Sequence, residues 1–271
     1  MPDGPFPPLI DAAAPIELSI VIPAYNEARG IEATLRSVTG YLGSQPFTSE
    51  LILVDDGSSD GTAATLERWR SRHASLRVLR NPANVGKGES VKRGMLAARG
   101  RYVFFMDADL SVPIEEVTGA LAALSTGDHS VLIGSRRVRG ARIEGPQPFV
   151  RIWLGLVFTA LTRVVLSSAI VDFTCGFKGF RRNAAQRLFS IQACADWAFD
   201  AEILYFAQLL GMPVLQYPVR WRHHANSRVR FPRDIFRTLR SLARIRMRAR
   251  RALVGEAASS AVLGRQRDCE E

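Results

Sequence analysis

Hydrophobic positions along this chain switch period repeatedly. Leu18–Pro23 and Ser49–Val54 are short runs rich in Ile, Leu and Val, and Leu76–Leu79 and Tyr102–Met106 repeat the pattern. Runs of this length, bounded by polar turns, predict buried strands. Between them Ile31, Leu35 and Val38 recur at helical spacing within 28–41, and helices are also predicted from Thr62 through Trp69 and from Glu89 to Ala98. Strand–helix alternation with short loops predicts an α/β fold with a mainly parallel sheet flanked by helices. After Pro113 the pattern predicts a helix over 114–125, a strand over 130–136 and a loop over 137–147 that reads as mobile. Helices are predicted over 182–189 and from Asp196 to Leu210, and a last strand over 213–222 sits at a sheet edge because of its prolines.

Two apolar stretches need separate treatment. Ile152 to Val171 is long enough to span a bilayer, but Arg163 stands near its centre. A helix buried in the domain or lying in the membrane interface fits better. Pro232 to Leu253 is expected to be helical, with Ile235, Phe236, Leu239, Leu242, Ile245 and Met247 near one face and arginines elsewhere. A basic amphipathic helix suits an anionic membrane surface, and packing on the domain with a solvated basic face is the alternative.

Charge sharpens this. The net charge of +10 is concentrated between Arg228 and Arg251, where ten arginines face one acid, Asp234. A localised anionic partner is expected rather than general coating of nucleic acid. The three cysteines, Cys175, Cys194 and Cys269, form neither a disulfide framework nor a metal-ligand spacing, which suits a reducing compartment. Residues 1–17 and 254–271 read as disordered tails.

The chemistry is expected at the strand ends. Tyr102–Met106 runs into Asp107-Ala108-Asp109. Two carboxylates at i and i+2 on an extended chain point to one side, and a hard divalent cation would neutralise them. A solvated acidic turn is the alternative. Glu27 and Asp55/Asp56 stand at two other strand ends. Ligands of parallel sheets sit at the carboxyl ends of strands, so three polar strand ends favour one site. Asp56 to Glu67 matches the spacing of a calcium loop, but a strand precedes it where that motif needs a helix. Asn84-Val-Gly86-Lys87-Gly88 lacks the first glycine of a phosphate-binding loop. Its glycines permit a tight turn, with Lys87 near a phosphate or in solvent.

The ordered motifs Pro23-Ala-Tyr25-Asn-Glu27, Asp55–Thr62, Asn84–Gly88, Met106–Asp109 and Gly134-Ser-Arg136 resemble the family-2 inverting glycosyltransferases of the GT-A fold. The runs 172–180 and 197–205 are similar to polyprenyl-phosphate glycosyltransferases, and most to the dolichyl-phosphate β-glucosyltransferases. The resemblance covers about 18–247 and implies a GT-A domain over 18–230, with a donor half to residue 113 and an acceptor half after it. It implies donor contacts from Pro23, Tyr25, Glu27, Asp56, Lys87, Asp107, Ala108 and Asp109. It also implies Mg²⁺ or Mn²⁺ on Asp107 and Asp109, and phosphate contacts from Arg136, Lys178, Arg222 and Arg228. The last two match more loosely, because His223-His224-Ala-Asn226 departs from the family's loop.

The implied partners are a nucleotide sugar, a polyprenyl or dolichyl phosphate, an anionic membrane surface and no nucleic acid, with a membrane-protein partner left open. Catalysis would rest on Asp107, Asp109 and Arg136, with the enzyme peripheral or monotopic on the cytoplasmic face of the membrane. UDP-glucose is the expected donor, and GDP-mannose or a UDP-N-acetylhexosamine the alternative. The rival from another class is a non-catalytic module binding an anionic surface or nucleic acid. Asp172, Asp196, Asp200 and Glu202 are expected to be structural, the last two at a helix start.

Overall fold

The computed structural model describes residues 15–145, 149–166, 169–222 and 240–249. Its core is a seven-stranded sheet. In chain order the elements are β1 (Leu18–Ala24), α1 (Ile31–Gly43), β2 (Ser49–Asp55), α2 (Thr62–Arg70), β3 (Leu76–Arg80), α3 (Lys87–Ala97), β4 (Tyr102–Met106), α4 (Glu116–Thr126) and β5 (Val131–Ser135). Then come β6 (Arg142–Glu144), α5 (Phe149–Leu166), β7 (Phe177–Arg181), α6 (Arg182–Ile191), α7 (Phe199–Leu209), β8 (Val214–Pro218) and β9 (Arg220–Arg222). A further helix, α8, covers residues 240–249.

The strand order is β3-β2-β1-β4-β7-β5-β8, and β6 pairs with β9 in a separate two-stranded ribbon. β7 runs antiparallel to both β4 and β5, while the other sheet pairings are parallel. The carboxyl ends of β1, β2, β4 and β5 therefore share one edge, where β7 begins. Alternation along the strands feeds two cores. Val21, Ile52, Val54, Val103 and Phe105 pack with α3, α6, α7 and α8. Ile20, Ile22, Leu51, Leu53 and Phe104 pack with α1 and α4. On α1 the buried apolar residues are Ile31, Leu35 and Val38, the helical stripe expected from sequence, together with Leu42, each contributing roughly 1.5–3 kcal/mol.

β7 was not anticipated. Lys178, Gly179 and Arg181 broke its apolar pattern, yet the strand is central. The supposedly mobile loop 137–147 contains β6, which is tied in register to β9. β8 lies at the sheet edge, as its prolines implied. Among the described residues no helix is long and apolar enough to cross a membrane.

In the C-terminal helix, over residues 240–249, Leu242, Ile245 and Ala249 are buried in the first core while Met247 is exposed. The rest of the predicted segment 231–253, and most of both tails, lie outside the described residues.

Candidate active site

Asp107 follows β4 directly. Its N–H donates to Gly176 O at 3.0 Å, because β4 and β7 pair antiparallel with Met106 opposite Phe177. Gly176 lets the Asp107 carboxylate lie against the backbone. A Cβ there would stand 1.9 Å from Asp107 Oδ2. The other oxygen, Oδ1, lies 2.5 Å from Lys87 Nζ. Burial alone would lower the Lys87 ammonium, but Asp107, Asp200 and Asp109 together raise it. Lys87 is thus held in an ion pair rather than extending alone into solvent. Its ammonium also stands 4.8 Å from the centre of the Trp197 ring, which is 54% exposed at the rim.

The glycine-rich loop is built against backbone. A Cβ at Gly86 would come within 2.5 Å of Ala195 O, and one at Gly88 within 2.5 Å of Cys194 O. Gly88 N donates to Ala195 O at 2.8 Å. Glu202 fixes that segment by accepting from Ala193 N and Cys194 N at 3.0 and 2.7 Å, and it pairs with Arg248 of α8. Asp196 accepts from Ala198 N at 2.9 Å and from Ser241 Oγ at 3.1 Å. Asp200 and Glu202 stand in the first turn of α7 as expected, but their oxygens reach other segments, and Asp196 holds the turn before the helix.

Asp56 is buried with both oxygens engaged. Oδ1 accepts from Asn81 Nδ2 and Val85 N at 2.8 and 3.0 Å, and Oδ2 accepts from Gly86 N at 3.0 Å. Asp56 therefore shapes the loop carrying Lys87. Nearby, Asn26 adopts φ 52 and is tied to Ser58 and Ser59. This holds the Pro23–Glu27 turn beside the 58–62 loop. Tyr25 is 37% exposed there, and Glu27 N donates to Thr62 Oγ1 at 2.8 Å.

Arg136 leaves β5 at the same edge. Its Nε and Nη2 donate to Asp172 at 2.8 and 2.7 Å, and Nη2 also reaches Thr174 at 2.9 Å. Burial opposes its charge, yet Asp172 and, more weakly, Asp107 hold the guanidinium above its ordinary pKa. Burial also works against the Asp172 carboxylate, but Arg136 keeps it below its ordinary value. Burial pushes the Cys175 thiol up to about 12, so it is no nucleophile.

Lys178 departs most from expectation. It is fully buried, with its ammonium 2.5 Å from Asp200 Oδ1 and 2.7 Å from Cys175 O. Burial pushes the Asp200 carboxyl up despite Lys178 and Lys87 beside it. Its ammonium is engaged here by protein oxygens, the carboxylate of Asp200 and the carbonyl of Cys175. Arg222 is exposed and pairs with Glu144 at 2.6 Å, and its N–H donates to Ser111 O at 2.7 Å, close to Asp109. Arg228, His223 and His224 lie outside the described residues.

Sequence reading missed Gly176 and Trp197 as site residues. Only their places in the dense 172–180 and 197–205 runs signalled them. Asp107 and Asp109 do fit a divalent cation. They offer hard oxygens, and Asp109 makes one hydrogen bond, Oδ1 to Ser111 N at 2.9 Å. Among the described residues no cluster of three or more His, Cys, Asp or Glu side chains could hold a metal alone. Two carboxylates completed by diphosphate oxygens and water is the set Mg²⁺ uses with nucleotides.

Acidic strand ends, a paired lysine and an arginine meet at one edge of a GT-A-like sheet, and residues 19–189 match Glycosyl transferase family 2. The chain belongs to that family. It is 35% identical over 236 residues to a dolichyl-phosphate beta-glucosyltransferase of Trichomonas vaginalis, covering 83% of this chain and 69% of that protein. The Drosophila melanogaster dolichyl-phosphate beta-glucosyltransferase is 36% identical over 228 residues, covering 80% and 70%. Glucosyl-3-phosphoglycerate synthase from Mycobacterium tuberculosis, solved with UDP, superposes with a TM-score of 0.63 at 22% identity, over 86% of this chain and 80% of that one. The same enzyme, solved with Mn²⁺, UDP and glucosyl-3-phosphoglycerate, gives a TM-score of 0.62 at 21% identity, over 86% and 80%. These two establish the fold.

Proposed function

We propose that this chain is an inverting glycosyltransferase that moves glucose from UDP-glucose to a dolichyl or polyprenyl phosphate, giving a β-linked lipid phosphate sugar. The observation that carries the reading is the meeting of Asp107, Lys87 and Arg136 at one sheet edge, in a chain whose curated relatives are dolichyl-phosphate beta-glucosyltransferases. Asp107 and Asp109 would hold Mg²⁺ or Mn²⁺, which when bound offsets the charge of the departing diphosphate. Pro23, Tyr25 and Glu27 border the nucleoside. Asp56 serves the donor through the loop it shapes, and Ala108 places the two carboxylates.

Lys87 turns from Asp107 toward the diphosphate as the donor arrives. The acceptor phosphate is already an anion, so no strong base is needed. It needs cationic positioning, from the guanidinium of Arg136 and from Arg222 and Arg228. Lys178 acts from the core as the counter-charge of Asp200. In-line attack by the phosphate oxygen on the anomeric carbon inverts that centre, and the diphosphate leaves with the bonding pair. The membrane surface that offers the acceptor is the cytoplasmic face.

The test is a panel of UDP- and GDP-sugars with a short polyprenyl phosphate, reading lipid-linked product. UDP-glucose should give product with Mg²⁺ or Mn²⁺ present. Product from GDP-mannose or a UDP-N-acetylhexosamine alone would replace the donor, and no product from any sugar would sink the reading.

A further inference from the structure

Helix α8 is attached by apolar residues and aimed by polar ones. Leu242, Ile245 and Ala249 bury in the first core. Such burial holds the helix down, but the attraction has no direction. Hydrogen bonds supply the direction. Ser241 Oγ donates to Asp196 Oδ2 at 3.1 Å. Arg248 pairs through Nη1 with Glu202 Oε1, and its Nη2 donates to Ile191 O at 2.8 Å. Both contacts converge on the turn between α6 and α7, whereas Arg246 reaches α5 at Val165 O.

The other side of that turn carries the glycine loop. Gln192 Nε2 donates to Gly88 O at 2.9 Å and to Cys194 O at 2.8 Å, and Lys92 Nζ of α3 donates to Gln192 O at 2.8 Å. Gly88 N donates to Ala195 O at 2.8 Å. The loop has no gap in which to absorb a shift of the turn, since a Cβ at Gly86 or Gly88 would already stand 2.5 Å from its carbonyls. The loop bears Lys87, and the turn runs directly into Trp197, whose ring lies beside the Lys87 ammonium. Both neighbours of that ammonium therefore hang on one turn.

Glu202 is the joint between α8 and this turn. Its side chain is fully buried, with Oε2 on the amides of Ala193 and Cys194 and Oε1 on the Arg248 guanidinium. A buried carboxylate without its counter-charge is costly, so it moves toward water, and the amides it holds move with it. Arg248 keeps 40% of its side-chain surface exposed, so it can be replaced without opening a hole in the core.

We propose that Arg248 and Ser241 are positioning residues for the donor: from α8 they hold the 191–196 turn, and through it the loop that presents Lys87 to the donor diphosphate. This rests on the nucleotide-sugar reading of the site and adds to it a helix that touches no donor atom.

The test uses the full chain and titration calorimetry of UDP with Mn²⁺, beside the KM for UDP-glucose. Arg248→Ala should weaken UDP binding about tenfold and raise that KM in step, with the KM for the lipid phosphate unchanged. Arg248→Lys keeps a cation beside Glu202 and should bind UDP within about threefold of the parent. In a Lys87→Ala background, Arg248→Ala should cost less than about twofold more, because the contact it serves is already gone. Ser241→Ala removes only a hydroxyl, should weaken UDP roughly threefold, and decides the matter if Arg248→Ala folds poorly. Parental UDP affinity in Arg248→Ala and Ser241→Ala, with only the melting temperature lowered, would make α8 a structural brace and overturn the proposal. So would a full tenfold loss in the Lys87→Ala background, since the effect would then bypass Lys87. A parent that binds UDP yet yields no lipid-linked product sinks the acceptor reading alone, and the affinities still decide this inference. A parent that binds no UDP overturns both.

Discussion

Two lysine–aspartate pairs in this protein have the same chemistry and the same 2.5 Å separation, yet opposite surroundings. Lys87–Asp107 keeps 15% and 32% of its side-chain surfaces exposed, and Lys178–Asp200 keeps 1% and 4%. The first pair can exchange partners with an incoming ligand, because water already reaches it. The second cannot open without leaving a charge in a core lined by Phe105, whose ring centre is 5.1 Å from Lys178 Nζ. Exposure, more than residue type, separates a pair that works from a pair that holds.

Breaking the open pair should act on turnover. Asp107→Asn, or Asp109→Ala beside it, should reduce transfer by roughly a thousandfold or more while the melting temperature stays near that of the parent. Full activity in either variant would remove both carboxylates from the reaction. Breaking the sealed pair should act on stability. Lys178→Met strands Asp200 and should cost about 3–5 kcal/mol, a fall of roughly 8 °C or more in melting temperature. Lys178→Met/Asp200→Leu should recover most of that loss. A single variant that melts like the parent would show that the core tolerates the lone carboxylate.

Gly176→Ala sharpens the contrast, since it touches the open pair by shape alone. Its methyl group would displace the Asp107 carboxylate, and a shift of about 1 Å should lower turnover roughly a hundredfold with modest loss of stability. Unchanged turnover would mean that the carboxylate has room to move.

The smallest effect concerns acid. Asp172 lies below its ordinary value in the folded chain, so it adds stability above its unfolded value of about 3.9 and loses it as pH falls through the lower folded value. Asp172→Asn should therefore flatten the acid limb of a stability–pH curve. An unchanged limb would assign acid unfolding to other carboxylates.

The N-terminal half was legible because its elements follow clear periods. β1, β2 and β4 each carry a run of three or more consecutive apolar residues, and α1 carries its stripe at helical steps. Asp107 and Asp109 could be placed because each follows such a run. β7 was hidden because its lysine is paired with a residue 22 positions away, which no local pattern encodes. The same separation hid the burial of Lys178. Gly86 and Gly88 could be read as tight-turn glycines, but the backbone that requires them belongs to residues 194–195. α5 was expected to be buried in the domain or to lie in a membrane interface, and the inward placing of Thr159 became visible only once Arg137 was seen to bond it.

The close seating of Gly86 and Gly88 on Cys194 and Ala195 bears on how such proteins can be recombined. With no side chain between the two backbones, the N-terminal and C-terminal halves share a seam with no slack. A chimera taking its N-terminal half from a relative would have to import the 193–196 turn with it, and the Glu202 anchor as well. The natural exchange unit is therefore the glycine loop together with the turn it rests on, although more than a hundred residues separate them along the chain.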